Sequence, residues 1–127
     1  MNIIALVSVA LLPIYNTGGE PSFQVERSRN SFFVKVDNQE RRAFFIIKLE
    51  AQIENEWGEV DRDITRAFTS VPAIIPVKPA QSLRFVYPTS GSKARNFVRN
   101  THYRFAFHYG YKIDKIDKVK YSTVFKY

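Results

Sequence analysis

Apolar and polar residues alternate with a period of two along most of the chain, the repeat of a β-strand whose successive side chains face opposite ways. Phe32, Val34 and Val36 share a face with Lys35 opposite, after a brief alternation over residues 23–27. Over Ala43–Ile53, one face holds Phe45, Ile47, Leu49, Ala51 and Ile53. The other holds Phe44, Ile46, Lys48, Glu50 and Gln52 and turns polar toward its end. A short strand is predicted at 64–68, and another where Leu83, Phe85 and Tyr87 alternate with Arg84 and Val86. Tyr103, Phe105, Phe107, Tyr109 and Tyr111 then alternate with His102, Arg104, Ala106, His108 and Gly110. At the end, Val119, Tyr121, Thr123, Phe125 and Tyr127 alternate with Lys118, Lys120, Ser122, Val124 and Lys126.

The segments between read as turns and loops. Asp37 to Glu40 is a polar turn, and 54–63 is an acidic hairpin tip with its turn at Trp57-Gly58. Pro72, Pro76 and Pro79 confine 71–79 to a sheet edge or an irregular path, because proline donates no ladder hydrogen bond. Residues 88–100 form a polar, basic loop, and 114–117 turn the chain into the last strand. About seven short strands at this spacing predict an all-β fold, an immunoglobulin-like antiparallel β-sandwich.

Composition agrees. Eleven Phe, seven Tyr and one Trp in 127 residues favour half-buried pleated surfaces over helices. The length fits one domain, alone or with a short leader. The charge is uneven. Residues 1–91 hold ten Lys/Arg and ten Asp/Glu, whereas residues 92–127 hold nine Lys/Arg against Asp114 and Asp117. The whole excess of +7 therefore lies near the C-terminal end, which suits an anionic partner or a charge-protected edge strand.

Residues 3–12 are an uncharged apolar run of ten, too short to span a bilayer and of the length of a secretory core. Met1 and Asn2 bring no side-chain positive charge, and Pro13-Ile14-Tyr15 makes an unusual cleavage region. Thr17 and Gly19 nevertheless supply small residues where a signal peptidase reads. A signal peptide over 1–19, cleaved before Glu20, is expected; the alternative is an N-terminal strand of the fold itself.

Catalytic signals are missing. With no Cys, disulfides, thiolate metal sites and cysteine nucleophiles are excluded. No G-x-S-x-G, phosphate-binding loop or dinucleotide fingerprint occurs. His102 and His108 fall on one strand face roughly 20 Å apart, too far to share a metal. Asp61 and Asp63 could flank a cation, but no calcium-loop pattern surrounds them. The reading is a binding protein rather than an enzyme, with no metal and no cofactor.

The middle of the chain resembles the N-terminal domain of the PapD-like periplasmic chaperones of pilus assembly. Val36-Asp37-Asn38-Gln39 followed by residues 44–49 is similar to that family's second strand, its V-x-N-N turn and its third strand. Gly58 sits where the family has a glycine in the next turn, and Phe68 to Pro72 resembles its F-x-V-x-P-P. Pro79 to Phe85 resembles its p-G-x-x-q-x-l-R-i, with Ala80 in the glycine position. The aromatic strand 103–109 and the last strand 119–127 stand where the family has an aromatic strand and its G1 strand. The resemblance covers 23–127, so residues 20–127 are expected to form one such domain, without the second domain that family members carry.

The resemblance implies a periplasmic chaperone domain that completes a pilin or fimbrial subunit by donating its C-terminal edge strand. It makes an outer-membrane usher a further candidate partner. The donor stripe would be Val119, Tyr121, Thr123 and Phe125, kept soluble by Lys118, Lys120 and Lys126. It implies a subunit-carboxylate anchor from Arg27, or alternatively Arg29, with Lys126. No nucleic acid and no membrane insertion of the mature form are expected. Two other classes stay open. One is a structural fimbrial or MSP-like interaction module. The other is a basic single-strand nucleic-acid binder stacking bases on Tyr103, Tyr109, Tyr111 and Tyr121. Export is tested by fractionation with N-terminal sequencing: a periplasmic protein beginning near Glu20 is expected, and a cytoplasmic one retaining Met1 would contradict it.

Overall fold

The computed structural model describes residues 19–62 and 74–127. They form nine strands, all paired antiparallel: β1 (Ser22–Arg27), β2 (Ser31–Asp37), β3 (Ala43–Ile53), β4 (Glu56–Asp61), β5 (Ile75–Val77), β6 (Ser82–Pro88), β7 (His102–Gly110), β8 (Lys118–Tyr121) and β9 (Phe125–Lys126). One sheet has the order β1-β2-β6, and the other β4-β3-β7-β8, with β5 also on β3 and β9 also on β7. The pairs β2–β6 and β3–β7 join strands distant in sequence, the interlocking of an immunoglobulin-like sandwich. The expected fold class is therefore the one the chain adopts.

The inward faces follow the alternation. Phe32, Val34, Val36 and Tyr87 of one sheet are buried against Phe45, Ile47, Leu49, Ala51, Tyr103, Phe105, Phe107 and Tyr109 of the other. In disulfide-bonded immunoglobulin domains a cystine ties these sheets together. Here the Phe32 ring lies 5.2 Å from Phe105 and 4.7 Å from Phe125, so aromatic packing takes that place. Each fully buried Phe contributes about 2–3 kcal/mol by removing its ring from water. Near the start of β7, the Tyr103 hydroxyl accepts a 2.5 Å hydrogen bond from the Val98 N–H, the corner by which such a tyrosine fixes the preceding loop. That loop holds a 3₁₀ turn, Gly91–Asn96, and then Phe97, whose buried ring is 5.2 Å from Tyr103.

Two expectations change, and a third is not reached. The acidic hairpin turns at Glu54-Asn55, not at Trp57-Gly58: both residues have positive φ (54° and 70°) and Ile53 pairs with Glu56. A two-residue hairpin of this kind matches the twist of its strands, which leaves Trp57 and Gly58 free to continue as β4. The strand expected at 64–68 lies outside the described residues.

The second change concerns the last strand, which is not one continuous alternation. Tyr121 pairs with Ala106 and Lys120 with Phe107, yet Phe125 pairs with Tyr103 and Lys126 with His102. The paired numbers sum to 227 in β8 and 228 in β9, so the strand holds one residue more than its partner. Such an insertion reverses which side chains face inward. Val119 and Tyr121 face outward with Ala106 and His108, whereas Phe125 faces the core. The stripe Val119, Tyr121, Thr123 and Phe125 is thus divided. Ser122 marks the break, its N–H donating to the Phe105 carbonyl while its hydroxyl accepts from the Phe105 N–H.

At the end of the sandwich where β2 leads into β3, Asn38 is buried. Its Nδ2 lies 2.7, 3.1 and 3.0 Å from the carbonyl oxygens of Arg41, Val77 and Lys78, and its backbone N–H donates to the Gln81 carbonyl. One side chain therefore ties the β2–β3 turn to the β5–β6 turn across the two sheets. Asn38→Ala would strand buried carbonyls and is expected to cost about 2 kcal/mol, read from urea unfolding. Unchanged stability would mean that water satisfies them.

Candidate functional site

The residues that could recognise a partner fall into three places. The first is the edge formed by β8 and β9. Among the described residues only β7 pairs with them, so one side of their backbone is unpaired. Val119, Tyr121 and Val124 are 40%, 49% and 51% exposed. The inserted residue turns Lys120 to the inner side, where its ammonium donates to the Pro21 carbonyl at 2.8 Å and lies 5.4 Å from the Tyr109 ring centroid. Lys120 thus ties β8 to the segment entering β1, instead of guarding the edge. Lys118 and Lys126 are exposed.

The second place is the outer face of the larger sheet. Arg104 donates to the Glu50 carboxylate at 2.7 Å, and its guanidinium sits 4.2 Å from the Trp57 ring and 3.7 Å from the Tyr121 ring. Three strands, β4, β7 and β8, meet in that stack. Beside it, Glu59 pairs with Arg62 at 2.8 Å and with Lys48 at 3.4 Å. The Arg62 hydrogen bond, opposed by partial burial and helped by both cations, holds the Glu59 carboxyl below its usual range. Alternation puts Glu50 and Arg104 on outer faces; it carries no sign that Trp57 joins them, because it sets the hairpin turn three residues too late.

The third place is the opposite end from Asn38, where the Arg27 Nη1 donates to the main-chain carbonyl of Lys126 at 3.2 Å. The Arg27 guanidinium lies 5.6 Å from the ring centroids of Phe32, Phe125 and Tyr127. Phe125 and Tyr127 pack inward, so the Lys126 side chain between them extends to the other face. Arg27 and Lys126 are neighbours, but through backbone: guanidinium and ammonium do not converge. The cations that do share a pocket with Arg27 are Arg29 and Arg99, around about 250 Å³ whose lining Thr89 and Tyr127 complete. Arg99 carried no mark in the sequence beyond its basic loop.

The remaining candidates take structural places. Asp61 turns inward after an irregularity in the β3–β4 register and accepts from Tyr87 (2.5 Å), Lys93 (2.8 Å) and Asn96 (3.2 Å). That carboxylate clamps the 3₁₀ turn to β4 and β6; Asp63, its proposed companion around a cation, lies outside the described residues. Among the described residues no group of three or more metal-ligating side chains occurs. Of the four tyrosines considered for base stacking, Tyr103 and Tyr109 are core, Tyr111 is half-buried with the Arg41 guanidinium 3.8 Å from its ring, and Tyr121 alone is exposed. At the far end of β7, a Cβ on Gly110 would strike the Lys115 carbonyl, so the 111–117 hairpin can close over it only because the residue is glycine.

Comparisons of the chain with family models, with curated proteins and with solved structures return no match.

His108 generates a pH expectation. It is half-buried on the outer face of β7, and its Nε2 is buried without a partner among the described residues. Burial first, and the Lys48 charge second, lower its pKa from the ordinary 6.5, outweighing Glu50 and Glu59. The unfolded chain then binds the proton more readily than the folded one. The resulting stability is fully present above pH 6.5 and is lost as the pH falls through the folded-state pKa. His108→Gln should flatten the stability profile in that window, measured by thermal unfolding; an unchanged slope would assign it to other groups.

Proposed function

We propose that this chain is a protein-binding module that pairs the open edge of β8 and β9 with an extended segment of another protein, in the manner of the periplasmic pilus-assembly chaperones its sequence resembles. The observation that carries this reading is the edge itself. Its backbone is unpaired on one side among the described residues, and Val119, Tyr121 and Val124 stand exposed along it. An added strand gains main-chain hydrogen bonds from such an edge, and outward apolar side chains give it a register. Lys118 and Lys126 on the same edge discourage pairing between copies of the chain. Binding is stoichiometric and needs no chemistry.

In this reading the donor stripe is shorter than the sequence suggested: Val119 and Tyr121 face the partner, and Phe125 belongs to the module's own core. The two roles separate experimentally. Tyr121→Ser should leave the fold intact and weaken capture of a fimbrial subunit by about 2 kcal/mol, about thirtyfold. Phe125→Ser should instead destabilise the module by about 3 kcal/mol, because it removes a ring packed on Phe32, Tyr103 and Phe105. Co-purification of a co-expressed subunit, with urea unfolding of each variant, measures both. Capture unaffected by Tyr121→Ser in a folded protein would place the binding surface elsewhere.

A further inference from the structure

Several cations elsewhere in the described structure have carboxylate partners: Lys35 with Asp37, Lys48 and Arg62 with Glu59, Lys93 with Asp61, Arg104 with Glu50 and Lys120 with Glu20. The three arginines at the far end have none among the described residues. Arg27, Arg29 and Arg99 line one pocket of about 250 Å³, and the other residues lining it, Thr89 and Tyr127, are uncharged. Three like charges around one space repel one another unless an anion sits between them.

We propose that this pocket binds a phosphate monoester or free phosphate as its dianion. The chemistry of the lining selects that class. Guanidinium groups offer flat, two-pronged donors that match the oxygen pairs of a tetrahedral anion. A carboxylate carries one negative charge and two oxygens, too little for three guanidiniums; a phosphate monoester near neutral pH carries close to two charges and three strong acceptor oxygens. The hydroxyls of Thr89 and Tyr127 add donors of the neutral kind. The backbone donors of the two uncharged residues are already committed, since the N–H of Thr89 bonds to the Asn30 carbonyl and that of Tyr127 to the Thr101 carbonyl. Recognition therefore rests on side chains.

One wall of the pocket is also held in advance. Arg27 is held by its bond to the Lys126 carbonyl and by the rings of Phe32, Phe125 and Tyr127, so one prong is in place before a ligand arrives. Arg29 and Arg99 are exposed and make no side-chain hydrogen bond among the described residues, leaving them free to close on an anion. Two segments distant in sequence supply the arginines: the end of β1 with the loop that follows it, and the loop before β7. An anion bound there would cross-link them. This site is distinct from the β8–β9 pairing and stands or falls without it.

The test is titration with inorganic phosphate and with phenyl phosphate, followed by calorimetry and by amide chemical shifts. Saturable binding should move the amides of Arg27, Arg29, Thr89, Arg99 and Tyr127. It should strengthen from about pH 5 to about pH 7.5, as the monoester loses its second proton. Arg29→Ala and Arg99→Ala, both at exposed positions, should each weaken it by about tenfold. Tighter binding of phenyl phosphate would identify an esterified group as the occupant, and tighter binding of inorganic phosphate the free anion; either supports the site. Acetate bound as tightly as phosphate would overturn it, as would a response matched by chloride at equal ionic strength. Shifts confined to other residues would overturn it without recourse to the variants.

Discussion

The packing of Phe125 on Phe32 organises more of this molecule than any other contact. The rings are 4.7 Å apart and join the last strand to the second across the sandwich. Phe105, Tyr103 and Phe97 gather around the same pair, so the sheets are bridged by aromatic rings where a disulfide stands in other domains of this shape. To reach Phe32, the last strand must present Phe125 inward, and the residue inserted after β8 makes that compatible with β8 presenting Val119 and Tyr121 outward. The same packing puts Tyr127 beside Phe97 and sets the rings on which Arg27 rests. Edge, core and arginine pocket are three consequences of one register.

The two ends of the sandwich are fixed by different means. At one end a single buried amide, Asn38, gathers the carbonyls of two turns. At the other, Tyr103 holds the loop before β7 by its hydroxyl, and Asp61 holds the 3₁₀ turn through Lys93, Tyr87 and Asn96. These polar ties sit where strands stop and backbone groups lose their ladder partners. At that same end Arg27, Arg29 and Arg99 are different from Asp61 and Lys93: their charges face an open pocket rather than a carboxylate.

Where side chains alternate without interruption, the sequence was a sufficient guide. Phe32, Val34 and Val36, then Phe45, Ile47, Leu49 and Ala51 of β3, and Tyr103, Phe105, Phe107 and Tyr109 of β7 are buried as their period implies, since period two and burial on one face are the same physical fact; Ile53, expected on the β3 face, is exposed where the strand runs into its hairpin turn. The last strand misled because its pattern also alternates, broken only at Val124. An inserted residue leaves no trace in a run where both faces hold apolar groups and lysines. The acidic hairpin misled for another reason: Trp57-Gly58 looks like a turn, but Glu54 and Asn55 take the positive φ values. Arg27 was legible as a first-strand cation, whereas its alliance with Arg99 depends on where the β1–β2 and β6–β7 connections meet, which no local pattern encodes.

The central claim is that the strand ending the described chain is an open edge, attached on one side through the Phe125 register. Amide hydrogen exchange along residues 118–127 of the free protein tests it most directly. The Ser122 and Tyr127 amides, bonded to the Phe105 and Thr101 carbonyls, should exchange slowly. The Tyr121 and Val119 amides, pointing away from β7 by the alternation of an antiparallel ladder, should exchange quickly. Slow exchange at all four would contradict the open edge, and slow exchange at Val119 and Tyr121 with fast exchange at Ser122 would contradict the register itself.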